Sequence, residues 1–452
     1  MEQVEKNQIY EIEIKDVASD GNGVGTIDGF AVFIPATVTG DIVRALIVKV
    51  QKRYAYAKVL EIIKPSLYRK ESECTAFEKC GGCSLMHINY EHQLEIKKGI
   101  IENALKRIGG IARGVDEMMG AEDAFRYRNK MIFPVGEDKN GAPLCGFFRE
   151  RSHDIIPLDD CLLGDEINAL ILSAVKEYMK KYSVSAYDEK AHKGIIRRIF
   201  TRKGAVSGEV MVVISANTEE LPEKEALIEK ICAISPKIVS IILNVNKKKT
   251  NLVLGDKNIV LFGRDRITDT LCGVEYEISA HSFYQINHTQ TEKLYKKALE
   301  YADISKDDTV MDIYCGIGTI SLYAAKKVKK VIGVEIVPQA IADAKENAKR
   351  NGIYNAEFYC ADAEELVPEL IDKGATPDIV ILDPPRKGSN EATLSAVISA
   401  KPKRIVYVSC NPATLARDLK FLSDDYEISK VSGVDMFPNT NHVETIVLLY
   451  QK

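Results

Sequence analysis

The chain has 452 residues, enough for roughly two to four domains, and its apolar fraction of 46% is ordinary for a globular protein. The formal net charge is −4, so any affinity for nucleic acid must come from local basic patches rather than from the charge of the whole molecule. No secretory signal and no apolar run of membrane-spanning length is visible, which predicts a cytoplasmic protein without a membrane partner and with its ten cysteines as thiols.

Residues 1–65 read as short strands separated by turns, which predicts a small β-barrel as the first domain. Tyr54 and Tyr56 lie among eight basic residues between Asp41 and Lys70, and such a mixture suits RNA phosphates and stacked bases. A solvated barrel face is the alternative. The stretch resembles a TRAM domain, an RNA-binding barrel of the OB type. The eight basic residues are Arg44, Lys49, Lys52, Arg53, Lys58, Lys64, Arg69 and Lys70.

Three cysteines, Cys74, Cys80 and Cys83, follow in the segment CTAFEKCGGC, where two glycines let the backbone wrap a metal centre. Iron–sulfur clusters and structural zinc usually take four ligands, and Cys145 and Cys161 are the candidates for the fourth. A zinc site more often shows two CxxC pairs, and enzymes that cleave S-adenosylmethionine by radical chemistry carry CxxxCxxC. Three unrelated thiols are the remaining alternative.

The central region, residues 66–290, includes this cysteine segment, then an amphipathic helix, and continues as a strand-rich α+β domain. Leu94, Ile101, Leu105 and Ile108 recur at helical spacing, so this helix is predicted to serve packing alone. Residues 120–285 are locally basic, which suggests a surface that faces RNA. The basic residues there are Arg126, Arg128, Lys130, Arg149, Arg151, Arg197, Arg198, Arg202 and Lys203.

From residue 291 to 452, strands and helices alternate, which predicts a doubly wound, largely parallel α/β sheet. A glycine loop follows the first strand, but Ser321 stands where a dinucleotide fingerprint needs its third glycine. Glu335 ends the second strand, where a carboxylate can accept ribose hydroxyls, Asp362 ends the third, and Asp383 ends the fourth. Together they resemble the S-adenosylmethionine pocket of class I methyltransferases, a Rossmann-like fold.

Cys410 comes at the end of a buried strand and directly before a helix. A helix N-terminus favours the thiolate, so Cys410 is the candidate nucleophile, with a buried structural cysteine as the alternative. Methyltransferases acting on the adenine amino group carry an aromatic residue after Asp-Pro-Pro, whereas this chain has Arg386. A cysteine nucleophile points instead to carbon 5 of a pyrimidine, activated by thiolate addition at carbon 6. Glu444, in HVET, is the candidate base for the carbon 5 proton.

Taken together, these motifs resemble the RNA uracil-5-methyltransferases, most closely the branch that acts on 23S ribosomal RNA. The motifs are CTAFEKCGGC, FRYRNK, GFFRERSHDIIPLDDCLL, SFYQIN, MDIYCGIGTISL, GVEIVPQAI, LDPPRKG, VSCNPATLARDL and HVETIVLL. The resemblance implies that Cys410 is the nucleophile and Glu444 the base. It implies that the cofactor, S-adenosylmethionine, is contacted by Gln285, Tyr314, Glu335 and Asp383, and Asp362 is expected there too. It also implies a [4Fe–4S] cluster on Cys74, Cys80, Cys83 and Cys161, the last selected by its PLDDCLL context.

The predicted function is therefore formation of 5-methyluridine in 23S ribosomal RNA by a monomer, on a uridine flipped from a loop. The same chemistry on transfer RNA is the nearest alternative, and the presence of the barrel and the cysteine set favours ribosomal RNA. Cytosine-5 methylation is another alternative, although cytosine enzymes place the cysteine in a Pro-Cys motif. A non-catalytic RNA-binding protein would be expected to lack one of the site residues, and all are present.

Overall fold

The computed structural model describes residues 4–150, 152–249 and 251–452, so Arg151, one of the predicted RNA-facing residues, lies outside the described residues. Five strands at the N-terminus close into a barrel in the order β1-β2-β3-β5-β4, as the alternating pattern predicted. Ile12, Ile14, Val32 and Ile47 fill its interior, while the residues between them face outward. The strands are β1 (Ile9–Val17), β2 (Gly23–Ile27), β3 (Phe30–Ile34), β4 (Ile42–Val50) and β5 (Tyr54–Lys64).

The central region contains a seven-stranded sheet in the order β13-β12-β11-β10-β7-β8-β9. Two helices cover one face, α2 (Ile167–Tyr182) and α3 (Lys224–Cys232), and pack on strand residues such as Ile199 and Val212. The strands are β7 (Lys130–Glu137), β8 (Pro143–Phe148), β9 (Ile155–Pro157), β10 (Ile196–Lys203), β11 (Val210–Ala216), β12 (Ile238–Val245) and β13 (Lys257–Gly263).

Three of the arginines predicted to face RNA are buried in strand β10. Arg197 donates to the carbonyls of Asn246 and Lys248, and Arg202 donates to those of Ser279 and Ser282. Arg198 is buried beside them. That part of the RNA-facing prediction is wrong, because β10 is a central strand covered on both faces and its guanidinium groups satisfy backbone carbonyls.

The C-terminal sheet has eight strands in the order β18-β17-β16-β19-β20-β22-β21-β6, with helices on both faces, which confirms the predicted α/β fold. A two-stranded hairpin, β14 (Arg266–Leu271) and β15 (Val274–Ser279), joins the core on one side. The sheet strands are β6 (Glu117–Met119), β16 (Thr309–Ile313), β17 (Lys330–Glu335), β18 (Ala356–Cys360), β19 (Ile379–Leu382), β20 (Arg404–Ser409), β21 (Tyr426–Val434) and β22 (Glu444–Gln451). The helices are α4 (His288–Ala302), α5 (Thr319–Ala325), α6 (Pro338–Arg350), α7 (Ala363–Asp372), α8 (Glu391–Ala400) and α9 (Pro412–Leu422).

Residues 90–119 pack with this C-terminal sheet, although the sequence assigned them to the central region. Helix α1 (Tyr90–Ala104) and a π-helical turn (Leu105–Gly109) lie against α9, and β6 pairs in parallel with β21. The reason is apolar burial, since Ile101 and Leu105 belong to the same core cluster as strands β20 and β22.

The buried face of this helical segment matches the predicted one only in part. Ile101 and Leu105 are buried as expected, whereas Ile108, in the π-helical turn, is 46% exposed, and the polar Gln93 and Lys97 are buried. Gln93 and Lys97 occupy the inner face because they bind the backbone of the loop between β21 and β22. Among the described residues, no helix has both the length and the apolar character that crossing a membrane requires.

Candidate active site

Five of the predicted site residues end or directly follow parallel strands of the C-terminal sheet. Tyr314 follows β16, Glu335 ends β17, Asp362 lies just past β18, Asp383 follows β19 and Cys410 follows β20. Because these strands are parallel, the five residues share one edge of the sheet. The chain order reverses between β16 and β19, so a crevice opens at that edge, which is where open α/β sheets bind ligands.

Glu444 reaches the same edge from the opposite direction. Strand β22 is antiparallel to β20, and the last registered pair is Ser409 with Thr445. Continuing that register by one residue sets Cys410 opposite Glu444. The Glu444 side chain is buried, with 4% of the residue exposed. The sheet therefore brings together the two residues that the sequence singled out for chemistry, from positions 34 residues apart.

The charges at this edge act on one another. Burial, reinforced by Asp383, raises the pKa of Glu444 to about 8. Burial and the nearby Asp312 raise the pKa of Asp383 to about 7. Arg386 opposes the shift at Glu444, but it does not cancel it. Several carboxylates thus share a confined site with one arginine, an arrangement typical of functional sites.

Cys410 departs from its expected protonation state. Burial, Glu444 and Asp383 together raise the pKa of the Cys410 thiol to about 11, with Arg386 as the opposing charge. The expectation that the helix N-terminus makes Cys410 a thiolate is wrong for the protein without ligands, because burial, reinforced by the neighbouring carboxylates, outweighs the helix dipole. A cation bound among these carboxylates would favour the thiolate.

The glycine loop after β16 is shaped to receive a ligand. Tyr314 has a φ of 73° and Gly318 a φ of 81°, left-handed conformations that turn the backbone sharply into α5. The Glu335 carboxylate accepts from the Gly316 N–H at 3.1 Å and from the Val337 N–H at 3.0 Å, so it is fixed across the loop mouth. Lone pairs not used by these bonds can accept ligand hydroxyls.

Asp312, in the MDIYCGIGTISL motif, is a buried carboxylate with one unpartnered oxygen. Ser321 donates to its Oδ2, and its Oδ1 has no hydrogen-bond partner. Burial raises the pKa of Asp312 to about 6. Asp312, Glu335 and Asp383 therefore form an acidic wall. Such a wall suits the ammonium and sulfonium charges of S-adenosylmethionine, so the residues present fit that cofactor.

The two remaining predicted cofactor residues differ in placement. Asp362 is exposed, and its side chain caps helix α7 by accepting from the Glu364 N–H at 3.0 Å. Gln285 lies in the loop before α4, half-buried, and its carbonyl accepts from Asn129 of the central region at 2.8 Å. Asn129 thereby ties the Gln285 loop to the segment that precedes strand β7.

The four predicted cluster cysteines lie near one another. Cys74, Cys80 and Cys161 pack around the same small apolar cluster. Burial, Cys161 and Cys80 raise the pKa of Cys83 to about 12. Cys145 instead packs inside the core of the central sheet. Within residues 4–150, 152–249 and 251–452, no group of three or more His, Cys, Asp or Glu side chains is arranged to hold a metal ion.

Besides Asp312, two residues at the site were absent from the predicted set, Arg386 and His442. Arg386 supplies the positive charge that acts on Cys410, Glu444 and His442, and Asn411 donates to its carbonyl at 3.0 Å. Burial and Arg386 lower the pKa of His442 to about 4, so its imidazole is neutral at pH 7. Both stand inside the quoted motifs, LDPPRKG and HVET, which is the signal that could have identified them.

Comparison with known proteins identifies two regions of the chain. A model of the tRNA (Uracil-5-)-methyltransferase family matches residues 89–452, and a TRAM domain model matches residues 3–60. An uncharacterized RNA methyltransferase of Halalkalibacterium halodurans is 46% identical over 451 residues, covering 99% of this chain and 98% of that protein. A second, from Clostridium acetobutylicum, is 47% identical over 450 residues, with the same two coverages.

A solved structure resembles nearly the whole molecule. It is the tRNA (uracil-54, C5)-methyltransferase of Pyrococcus abyssi in complex with S-adenosyl-L-homocysteine. It is 29% identical with a TM-score of 0.78, and the match covers 97% of this chain and 100% of that one. A match of that extent includes the barrel, so a barrel does not distinguish an enzyme of ribosomal RNA from one of transfer RNA. The chain belongs to the tRNA (uracil-5-)-methyltransferase family of RNA methyltransferases and carries an N-terminal TRAM domain.

Proposed function

We propose that the protein transfers a methyl group from S-adenosylmethionine to carbon 5 of a uridine in 23S ribosomal RNA. The observation that carries the proposal is the register of β20 and β22, which sets Cys410 opposite the buried Glu444 at the sheet edge that also bears the acidic wall. A nucleophile, a base with a pKa of about 8 and a site for a cationic cofactor then lie in one crevice.

The residues divide the reaction into two parts. The Cys410 sulfur adds to carbon 6 of the flipped base, its proton passing to Asp383, one of the two carboxylates that act on it, so that Glu444 stays ionised. This addition makes carbon 5 nucleophilic. S-adenosylmethionine, when bound, supplies the electrophilic methyl group. Glu444 then takes the proton from carbon 5, and the electron pair of that C–H bond expels the Cys410 thiolate, leaving 5-methyluridine.

The pocket assigns parts of the cofactor to particular side chains. Glu335, fixed by the Gly316 N–H, is proposed to accept the ribose hydroxyls, and Asp383 and Gln285 are proposed to face the methionine part. Tyr314, whose hydroxyl bonds Ser389 at 2.9 Å, is proposed to pack against the cofactor. Asp362 is exposed at the β18 end, where it can reach the adenine, although its present partner is the α7 backbone.

The barrel is proposed to bind RNA through an aromatic platform of Phe33, Tyr54 and Tyr56. Their ring centroids lie 5.5 to 5.8 Å apart on the outer face of strands β3 and β5. Lys52 and Arg53, next to the platform, are exposed and can bind phosphates. Proteins usually hold unpaired bases by stacking them on aromatic side chains, while nearby cations bind the phosphates.

The four cysteines are proposed to hold a [4Fe–4S] cluster. Each thiolate of such a cluster binds a different iron, so its ligands lie farther apart than those of one metal ion. The finding that the described cysteines are not arranged around a single metal ion is therefore compatible with a cluster. Cys161→Ser should lower iron and acid-labile sulfide in anaerobically purified protein. Cys145→Ser, a buried thiol of the central core, is the matched control and should leave both unchanged.

Transfer RNA is the second candidate substrate, favoured by the Pyrococcus abyssi structure. Ribosomal RNA is favoured by the motif resemblance. Methyl transfer from labelled S-adenosylmethionine to 23S RNA and to transfer RNA transcripts, followed by nucleoside analysis, separates them. Label in 5-methyluridine from 23S RNA alone supports the proposal, and label from transfer RNA alone replaces the substrate. We further propose that the enzyme acts in the cytoplasm as a monomer, and gel filtration tests the latter.

A further inference from the structure

The loop between strands β21 and β22, residues 435–443, leads directly into Glu444 and carries His442. It has no regular secondary structure of its own. Its backbone is instead held by side chains from distant parts of the chain. Asn287 donates to the carbonyl of Met436 at 3.1 Å, and Tyr127 donates to that of Pro438 at 3.1 Å. The position of Glu444 therefore depends on these tethers.

The strongest tether is an ion pair from helix α1. Lys97 and Asp435 both have fully buried side chains, and the Lys97 Nζ lies 2.5 Å from the Asp435 carboxylate. The same ammonium donates to the Phe437 carbonyl at 3.0 Å. Tyr90, about two turns earlier in α1, donates to the other Asp435 oxygen at 2.9 Å. Lys97 thus binds both a side chain and the backbone of the loop.

Helix α1 also holds the loop at Asn439, two residues beyond Phe437. The Gln93 amide donates to the Asn439 side chain at 3.2 Å and accepts from the Asn439 N–H at 2.9 Å. Asn439 has a φ of 66°, a left-handed conformation that needs such fixation. Lys97 and Gln93 lie four residues apart, so they present one face of the helix to the loop.

Packing does not explain this ion pair. Two charges without water lose much of their solvation, and a pair of apolar residues of similar volume is often as stable or more so. Lys97 lies on a face where its helical neighbours Ile96 and Ile101 are ordinary core residues. The ion pair instead fixes the position of the start of the loop relative to α1. Helix α1 in turn packs against α9, the helix that follows Cys410.

We propose that Lys97, with its partner Asp435, is a positioning residue that holds Glu444 against Cys410 for removal of the carbon 5 proton. The proposal rests on the reaction proposed above. It assigns α1, a helix predicted to serve packing alone, to the elimination step. Addition of Cys410 to carbon 6 depends on the β20–α9 turn, which the loop does not form, so loss of Lys97 should spare addition and slow elimination.

The test follows the methylated covalent complex in a single turnover. Wild type, Lys97→Met and Glu444→Gln are each mixed in excess with the RNA that accepts label from S-adenosylmethionine. The label is then divided on denaturing gels between free RNA and protein–RNA complex. Displacement of a base by about 1 Å can cost on the order of 100-fold in rate, so Lys97→Met should release RNA from the complex roughly 10- to 100-fold more slowly. Formation of the complex should change less than about threefold on the same reasoning.

A matched control and a second variant keep the result interpretable. Arg404→Met breaks an ion pair with Asp303 at the opposite end of strand β20, and it should change neither rate selectively. If Lys97→Met does not fold, the double variant Lys97→Met with Asp435→Asn, which leaves no unpaired charge, carries the same expectation. Equal slowing of formation and release, or no change in a folded variant, overturns the proposal. Absence of any complex in Glu444→Gln would instead refute the proposed reaction.

Discussion

Replacing Glu444 by glutamine should shift the stability of the protein without ligands in favour of the variant as pH rises. The carboxyl has a pKa of about 8 in the folded protein against 4.5 as its ordinary value. Between these values the unfolded chain has released the proton and the folded protein still holds it. Wild-type stability therefore falls as pH rises from 4.5 to about 8, because only the unfolded chain gains free energy by releasing the proton.

The size of the effect follows from the shift. Each pKa unit corresponds to about 1.4 kcal/mol, so the full shift gives an upper limit of about 5 kcal/mol above pH 8. Asp383 titrates in the same cluster and takes part of the shift, which makes about 2 to 4 kcal/mol the expected range. A buried glutamine amide without partners costs about 1 to 3 kcal/mol, but that cost is the same at every pH.

The assay is unfolding of wild type and Glu444→Gln at pH 5, 7 and 9 without cofactor or RNA, by calorimetry that separates the domain transitions. The quantity compared is the difference in the free energy of unfolding between the two proteins at pH 9, minus the same difference at pH 5. Glu427→Gln, which changes an exposed glutamate on the adjacent strand β21, is the control and should show no pH-dependent difference. A Glu444→Gln difference that is equal at pH 5 and pH 9 would refute the burial and charge crowding described for this residue.

Three further outcomes follow from the site. The value of kcat/KM should rise as pH increases through about 8, where Glu444 of the free enzyme loses its proton, and a kcat/KM that is flat between pH 6 and 9 would contradict its role as base. Glu335→Gln should weaken S-adenosylmethionine binding in titration calorimetry, whereas Glu346→Gln on exposed α6 surface should not. Equal affinities of wild type and Glu335→Gln for S-adenosylmethionine would contradict the placement of Glu335 in the cofactor site. Tyr54→Ala should weaken RNA binding by about 1 to 3 kcal/mol with cofactor affinity unchanged. Unaltered RNA affinity in filter binding would contradict the aromatic platform.

The sequence predicted the sheet edge well because each parallel strand runs straight into a residue with chemistry. Asp383 and Cys410 both follow apolar β-branched runs, and a parallel sheet collects such ends on one side whatever its detailed strand order. Glu444 begins its strand instead of ending it, so it reaches the same edge only because that strand is antiparallel to β20. Its partnership with Cys410 needed the antiparallel register, which the sequence does not display.

Three features were not predictable from local pattern. The arginines of β10 looked like surface charges because arginine is usually exposed, and only the sheet order shows that β10 is central. The burial of Lys97 was not predictable because lysine is usually exposed and its partner Asp435 lies 338 residues away. The protonation of Cys410 depends on carboxylates from β19 and β22, so the helix N-terminus alone indicated the wrong direction.

The measurement that tests the central claim most directly is release of tritium from RNA labelled with [5-³H]uridine, with and without S-adenosylmethionine. Carbon 5 methylation through Cys410 requires release that depends on the cofactor and is abolished in Cys410→Ala, while that variant still binds RNA. Tritium release by Cys410→Ala at the wild-type rate, or methyl transfer by wild type without tritium release, would contradict the account.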